Sequence, residues 1–313
     1  MEPATRAVID VGTNSVKLLV GIVEGGNVRP LLEKSEQTRL GEGFYETHHL
    51  QSAKIHLTAE TVGIFAKEAS GAYELSSLRV IATSAVRDAH NKQELVDAIQ
   101  RACGHLVEVI SGDQEADWVF AGVTSDPVFA TEPLLVIDVG GGSTEIIAGR
   151  QTKTFYRQSF KMGTVRALES LHLQDPPSPD DWKRCHETLS QFLRSEITPP
   201  ILPLLEPGFR LVATGGTATI LARIKYSLRS FERDKIEGTL LALPELREIT
   251  ERLWSLPLIE RKRVVGLPPK RADVILTGVA IYIAVMEQLR FEELYVSTRG
   301  LRYAALLQHP PGR

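Results

Sequence analysis

The stretch Val136-Ile-Asp-Val-Gly-Gly-Gly-Ser-Thr-Glu145 decides how the chain is read. A short apolar run that ends in an acid and then meets three glycines predicts a buried strand that turns sharply on itself. Gly140, Gly141 and Gly142 allow positive φ and leave no Cβ in the way, so a ligand can approach the backbone closely. Exposed N–H groups in such a turn make an anion-binding concavity. Asp138 and Glu145 flank the turn and would repel a bare phosphate, so a hard cation such as Mg²⁺ is the natural bridge. The combination points to a metal–phosphate site. On its own, a Gly-rich turn after a strand is also an ordinary turn.

The start of the chain repeats the layout. In Val8-Ile-Asp-Val-Gly-Thr-Asn-Ser15, Asp10, Gly12 and Ser15 match Asp138, Gly140 and Ser143 at one offset of 128 residues. A second pair follows in the same order: Val80-Ile-Ala-Thr-Ser-Ala85 resembles Leu211-Val-Ala-Thr-Gly-Gly216 at an offset of 131. Two matched pairs at nearly one spacing predict duplicated halves. Two halves that each offer a glycine turn suggest a ligand clamped in a cleft between them.

Composition narrows the class. The chain has 313 residues, enough for about two domains with real cores. Hydrophobic residues make up 43% and charged residues 24%, as in ordinary soluble domains. A formal net charge of −3 gives no support to a nucleic-acid binder, so the positive partners of a polyanionic ligand must be local. Cys103 and Cys185 show neither metal-ligand spacing nor a disulfide framework, which fits a reducing cytosol. The N-terminus runs straight into a strand and leaves no room for a signal peptide. The longest uncharged apolar run, near residues 278–286, is too short to span a bilayer. The expectation is a soluble cytoplasmic protein with no membrane partner.

Taken in order, residues 6–33 predict a hairpin or meander, with a turn at Glu24-Gly-Gly-Asn27. Residues 37–43 form a loop with one cation, Arg39, and two glycines, Gly41 and Gly43. Ile55, Ala59, Val62, Phe65 and Ala66 carry helical spacing over 53–70. A strand at 78–82 leads to a helix over 92–103 with Asn91 as its N-cap. After a strand at 107–110, Ser111-Gly-Asp-Gln114 fits a capping box and puts Glu115 in the first turn of a helix over 113–123. There a carboxylate simply favours the helix dipole; strand ends beside a glycine-turn cleft are equally where catalytic groups sit. The Pro-bearing break at 125–133 marks a domain boundary, which predicts residues 1–124 plus 299–313 as one domain and 125–298 as the other. In the second half, strands at 155–160 and 209–213 and helices over 180–196, 244–255 and 272–290 are expected, with Asp273 beginning the last. A strand at 293–297 and a helix to about 308 close the chain. The fold class is α/β, two mixed sheets flanked by helices. No Gly-x-Gly-x-x-Gly or Gly-x4-Gly-Lys-Ser pattern is present, which counts against Rossmann and P-loop chemistry.

Strand-Asp-x-Gly-Thr-Asn-Ser in one half and strand-Asp-x-Gly-Gly-Gly-Ser-Thr-Glu in the other resemble the two phosphate loops of the actin-like ATPase superfamily. Within it the chain is most similar to the exopolyphosphatase/guanosine pentaphosphate phosphohydrolase (Ppx/GppA) family. The likeness runs through Ile9–Ser15, 82–87, 110–116, 136–145, Lys161-Met-Gly163, 213–217, Arg271-Ala-Asp-Val274 and 296–302. It implies two duplicated actin-like (ribonuclease H-like) domains with the active-site cleft between them. It also implies hydrolytic removal of the terminal phosphate from inorganic polyphosphate or from pppGpp, the guanosine pentaphosphate of the stringent response.

The resemblance further implies roles. Glu115 matches a glutamate that orients or deprotonates the attacking water, and Arg87 an arginine of the active site. Asp138 and Glu145 match acids tied to Mg²⁺ (or Mn²⁺) and catalysis, with Asp10 facing them. Gly12, Thr13, Asn14 and Ser15, then Gly140, Gly141, Gly142 and Ser143, then Gly215, Gly216 and Thr217, match the phosphate-binding turns. A homodimer is implied by the same analogy. The chain departs from the family in stopping at Arg313, before the extra C-terminal domains of longer members. It also departs in Gln114 and Thr298, which stand where acids occur elsewhere. Arg39, Lys161, Arg166, Arg299 and Arg302 are candidate cations at the cleft mouth. Two other classes stay open: an actin-like kinase acting on a small acceptor, and a nucleotide-switched binding module.

Overall fold

Residues 7–11 are apolar apart from Asp10 and buried on both sheet faces, as a strand with partners on each side must be. In the computed structural model, which describes residues 2–308, they lie in β1 (Ala4–Val11). β1 pairs antiparallel with β2 (Val16–Glu24) and parallel with β4 (Ser77–Ala82). β3 (Asn27–Glu36) and β5 (Val107–Val109) complete a sheet of order β3-β2-β1-β4-β5. The second sheet has the same plan in β6 (Pro133–Val139), β7 (Thr144–Arg150), β8 (Lys153–Phe160), β9 (Arg210–Thr214) and β11 (Glu293–Val296). Its order is β10-β11-β9-β6-β7-β8, with β10 (Leu240–Ala242) added antiparallel at the edge. A three-residue edge strand carries too little pattern to be read from sequence.

The chain divides into two compact units, residues 2–125 with 299–308, and residues 126–298. Positions 309–313 of the expected first domain lie outside the described residues. The core of the first unit sets Ile9, Leu18 and Val80 against Val62 and Phe65 of helix Ser52–Ala72 and Ile99 of helix Lys92–Cys103. Each fully buried Leu or Ile contributes about 1.5–3 kcal/mol. The core of the second unit gathers around helix Ile275–Leu289, which is buried on every side over residues 275–286. An all-round apolar helix is an interior one. Cys185 lies in that core, and burial pushes its thiol up to about 12. Among the described residues, no helix is long and apolar enough to cross a membrane.

The C-terminal helix, Leu301–Leu307, belongs to the first unit and packs on helix Gly112–Thr124. Its last carbonyls are answered by buried cations: Arg6 Nη1 donates to Leu306 O at 2.8 Å and Arg79 Nη1 to Ala305 O at 3.0 Å. Cations at a helix C-terminus satisfy its orphan carbonyls and its dipole together. Arg79 is itself held by a two-pronged contact with Glu108, at 2.9 and 2.7 Å. Arg299 and Arg302, read as cleft-mouth cations, are used here. Arg299 Nη1 donates to Ser125 O at 2.9 Å, and Arg302 Nη1 donates to Leu18 O at 3.0 Å.

One local expectation is refined and one corrected. Asn91 is the N-cap residue of helix Lys92–Cys103, as expected, but its side chain makes no cap bond. That carboxamide instead bridges Leu50, accepting from its N–H at 2.8 Å and donating to its carbonyl at 3.0 Å, a long-range pair that outcompetes the local cap. Asp273 lies before helix Ile275–Leu289 rather than in it, and Val274 is the N-cap. Its Oδ1 accepts from the Val274 N–H at 2.8 Å.

A Cβ at Gly122 would meet Gly300 O at 2.0 Å and Gly300 Cα at 2.8 Å, with backbone on both sides. Gly122→Ala is therefore expected to destabilise the protein by at least about 1–3 kcal/mol through overpacking. Denaturant unfolding measures this, and an unchanged midpoint would show that the two backbones are not in contact.

Candidate active site

In the first unit the β1–β2 turn closes when Gly12 N–H donates to Ser15 O at 3.1 Å. The turn's carbonyls are consumed by the following loop: Arg39 N–H donates to Asn14 O at 3.0 Å and Gly41 N–H to Thr13 O at 2.8 Å. The N–H groups of Thr13 and Asn14 donate to no backbone carbonyl among the described residues. Carbonyls turned inward with amides left over make the anion-facing side of a turn. Gln37 Nε2 donates to Asn14 Oδ1 at 3.0 Å, while the buried Asn14 Nδ2 has no hydrogen-bond partner.

Asp10, only 7% exposed, sits at the end of β1 with Lys17 directly across β2. Burial pushes its carboxyl above the usual carboxylate range, and Lys17 and Arg302 pull it partly back. Its Oδ1 is buried and accepts no hydrogen bond. An orphaned carboxylate oxygen is suited to a cation.

Arg87, on the short helix Ser84–Asp88, reaches the next strand end. Its Nη1 donates to Ile110 O at 3.1 Å and to Glu115 Oε2 at 3.0 Å. Glu115 is buried in the first turn of helix Gly112–Thr124, where half of the expected capping box forms: Ser111 Oγ accepts from Gln114 N–H at 3.1 Å. The sequence-predicted Arg87 and Glu115 are thus brought into contact.

In the second unit, Gly140 N–H donates to Ser143 O at 3.0 Å, the counterpart of the Gly12–Ser15 bond. The carbonyls of this turn are taken by helix Thr164–Leu171. Thr164 N–H donates to Gly140 O at 2.9 Å, and Val165 and Arg166 N–H donate to Gly141 O at 2.9 and 3.1 Å. Arg166 Nε adds a bond to Gly142 O at 2.9 Å. Arg166, expected at a cleft mouth, therefore braces the turn. The N–H groups of Gly141, Gly142 and Ser143 donate to no backbone carbonyl among the described residues.

Asp138 and Glu145 face each other across β6 and β7, on one face of the sheet. Glu145 is 1% exposed and accepts from Ser159 Oγ at 2.6 Å. Ser159 is its cross-strand partner on β8. Gly215 opens helix Gly215–Lys225 at φ 88°, and a Cβ there would fall 2.3 Å from Asp138 Oδ1. The carboxylate thus lies against the helix N-terminus, where negative charge is favoured. A Cβ at Gly216 would lie 3.4 Å from Arg271 Nη2, which sets that guanidinium beside the same turn. Below it, the buried Tyr282 hydroxyl donates to Thr214 O at 3.3 Å; burial, then the Asp138 charge, holds its phenol well above the usual range.

Four participants escaped sequence reading. Ser159 and Tyr282 lie on elements whose pairing no local pattern reveals. Arg271 sat inside a recognised stretch without an assigned role. Gly163 likewise sat inside the Lys161-Met-Gly163 stretch without an assigned role. The structure explains it: a Cβ there would meet Gly141 C and O at 2.6 Å. Thr298 donates its N–H to Glu237 Oε2 at 2.8 Å, and its hydroxyl also meets Arg233.

Among the described residues no three His, Cys, Asp or Glu side chains gather as an all-protein metal cage. Within the second unit, Asp138 with Glu145 opposite it fits a cation that takes few protein oxygens and completes its shell from substrate and water; within the first unit, Asp10 offers an orphaned Oδ1.

Two mixed sheets of one plan, each with a glycine turn after its central strand, give the chain an actin-like architecture. The Ppx/GppA phosphatase family model matches residues 19–310. Exopolyphosphatase 2 of Mycobacterium tuberculosis is 30% identical over 294 residues, covering 91% of this chain and 90% of that protein. Among solved structures, the Aquifex aeolicus Ppx/GppA family member is 29% identical, with a TM-score of 0.80 and 97% of each chain covered. An exopolyphosphatase from Cytophaga hutchinsonii is 26% identical, with a TM-score of 0.86 and 96% of each chain covered. The chain belongs to the Ppx/GppA phosphatase family.

Gly163→Ala is expected to displace the Gly140–Gly142 turn and to weaken phosphate binding at least about tenfold with the fold kept; wild-type affinity for inorganic phosphate would contradict the close approach. In metal-free buffer Asp10→Asn is expected to raise the thermal midpoint at pH 7. The folded carboxyl keeps its proton to higher pH than the unfolded one, so the wild type loses stability as pH rises through the folded pKa. The advantage of the variant should shrink as pH falls below the ordinary value of 3.8. Calorimetry across pH measures it, and a variant less stable than wild type at pH 7 contradicts it.

Proposed function

We propose that the protein hydrolyses the terminal phosphoanhydride of inorganic polyphosphate or of the 5′-triphosphate end of pppGpp. The observation that carries this reading is the pair of glycine turns whose carbonyls are consumed by neighbouring N–H groups, leaving amides for phosphate oxygens. Phosphoryl transfer asks for positioning and charge neutralisation more than for covalent help. Backbone amides of Thr13, Asn14 and Gly141–Ser143, with the first turn at Gly215–Thr217, bind the phosphate oxygens. Arg87 adds a guanidinium that already holds Glu115, and Glu115 orients the water and accepts its proton. Asp138, with Glu145 held by Ser159 beside it, would hold Mg²⁺ or Mn²⁺, and Asp10 is the further acid. The bound cation would supply neutralisation of charge on the phosphate oxygens. Family membership supports the phosphatase chemistry. The name of the M. tuberculosis relative favours polyphosphate, and we place the protein in the cytoplasm.

The test is phosphate release, with Mg²⁺, from long-chain polyphosphate, pppGpp and ATP, wild type beside Glu115→Gln. Release from polyphosphate or pppGpp that falls by about 10²–10⁴-fold in the folded variant is expected. Near-wild-type turnover in the variant removes Glu115 from the mechanism, and tight ATP binding without release favours a switched binding module.

A further inference from the structure

The second unit contains a cavity of about 580 Å³ that shares no residue with the phosphate turns. It opens where helices Pro179–Phe192, Leu243–Ser255 and Ile275–Leu289 meet. Trp182 and Trp254 form its aromatic wall, edge to face, with ring centroids 5.1 Å apart and planes at 74°. Pro177, Pro179 and Ile283 complete the apolar lining.

Most of the polar groups around it already have partners. Glu287 Oε1 accepts from Arg247 Nη2 at 2.8 Å, and its Oε2 meets His186 Nε2 at 2.7 Å. The Arg247 charge is thereby balanced by Glu287. Burial would raise the Glu287 carboxyl, but the bonds from Arg247 and His186 more than offset it and keep it ionised. Thr250 Oγ1 donates to Leu246 O at 2.7 Å, and Ser255 Oγ donates to Arg252 O at 3.0 Å. Ser178 Oγ donates to Asp181 Oδ2 at 2.9 Å. What remains is Glu251, exposed, four residues after Arg247 on the same helix, with no ion pair among the described residues. The lining therefore offers aromatic surface and one unbalanced negative charge.

We propose that this cavity binds a small organic ammonium cation, its alkyl body against Trp182 and Trp254 and its charge toward Glu251. Aromatic faces attract a cation electrostatically, most strongly where water is displaced, and a carboxylate at the rim adds the matching charge. The proposal is independent of the phosphate chemistry. The same helix that brings Ile283 and Glu287 to the cavity presses Gly278 against Thr217 and Tyr282 against Thr214, so the site shares a rigid element with the turns.

The test is a titration of the full chain with choline, followed by tryptophan fluorescence at fixed ionic strength, beside its uncharged isostere 3,3-dimethylbutanol. Saturable binding of choline, at least about tenfold tighter than the isostere, is expected. Glu251→Gln, at an exposed helical position, should weaken choline about tenfold without moving the thermal midpoint, and Trp182→Leu should abolish the response. No saturable response to choline, equal affinities for the two compounds, or unchanged choline affinity in Glu251→Gln overturns the proposal.

Discussion

The second unit depends on one close backbone approach, that of Gly163 to Gly141 and Gly142. It lets three successive N–H groups at the start of helix Thr164–Leu171 answer the carbonyls of the glycine turn. A helix N-terminus normally presents its orphan donors to solvent or ligand. Here they are spent on a loop, and the loop's own amides are freed in exchange. Thr144 Oγ1 fixes the arrangement from below by donating to Met162 O at 2.6 Å, and Thr277 Oγ1 does so from the side, donating to Thr164 O at 2.8 Å. The turn is thus held rigid before any ligand arrives, and electrostatic stabilisation requires that preorganisation.

The first unit reaches the same end by other means. Its β1–β2 turn gives its carbonyls to Arg39 and Gly41, on the loop that precedes helix Phe44–Thr47. The duplicated sheets also differ across the key aspartates: Lys17 stands opposite Asp10, whereas Glu145 stands opposite Asp138. One unit therefore sets a cation opposite its acid, while the other sets a second acid there. A duplicated framework has been given two electrostatic tasks.

Much of the fold was legible because the glycine turns, the apolar strands and the helix over 53–70 carry their pattern within a few residues. The pairing of Asp10 with Asp138 and of Gly12 with Gly140 followed from spacing alone, and the sheets repeat accordingly. What could not be read depends on long-range contacts. Asn91 takes the N-cap position as read, but its side chain is spent on Leu50 rather than on the helix. Arg299 and Arg302 look like free cations until helix Leu301–Leu307 folds back into the first unit. Ser159 is a plain serine in a strand until register sets it beside Glu145. The Trp182–Trp254 cavity is assembled from helices far apart in sequence and left no local signature at all.

The most direct test of a terminal phosphohydrolase is to run the reaction in ¹⁸O-labelled water with Mg²⁺ and follow the label by mass spectrometry. Attack of water on the terminal phosphorus puts one ¹⁸O into each released phosphate and none into the shortened substrate. Label retained in the shortened chain, or phosphate passed unlabelled to an added acceptor, would contradict the account.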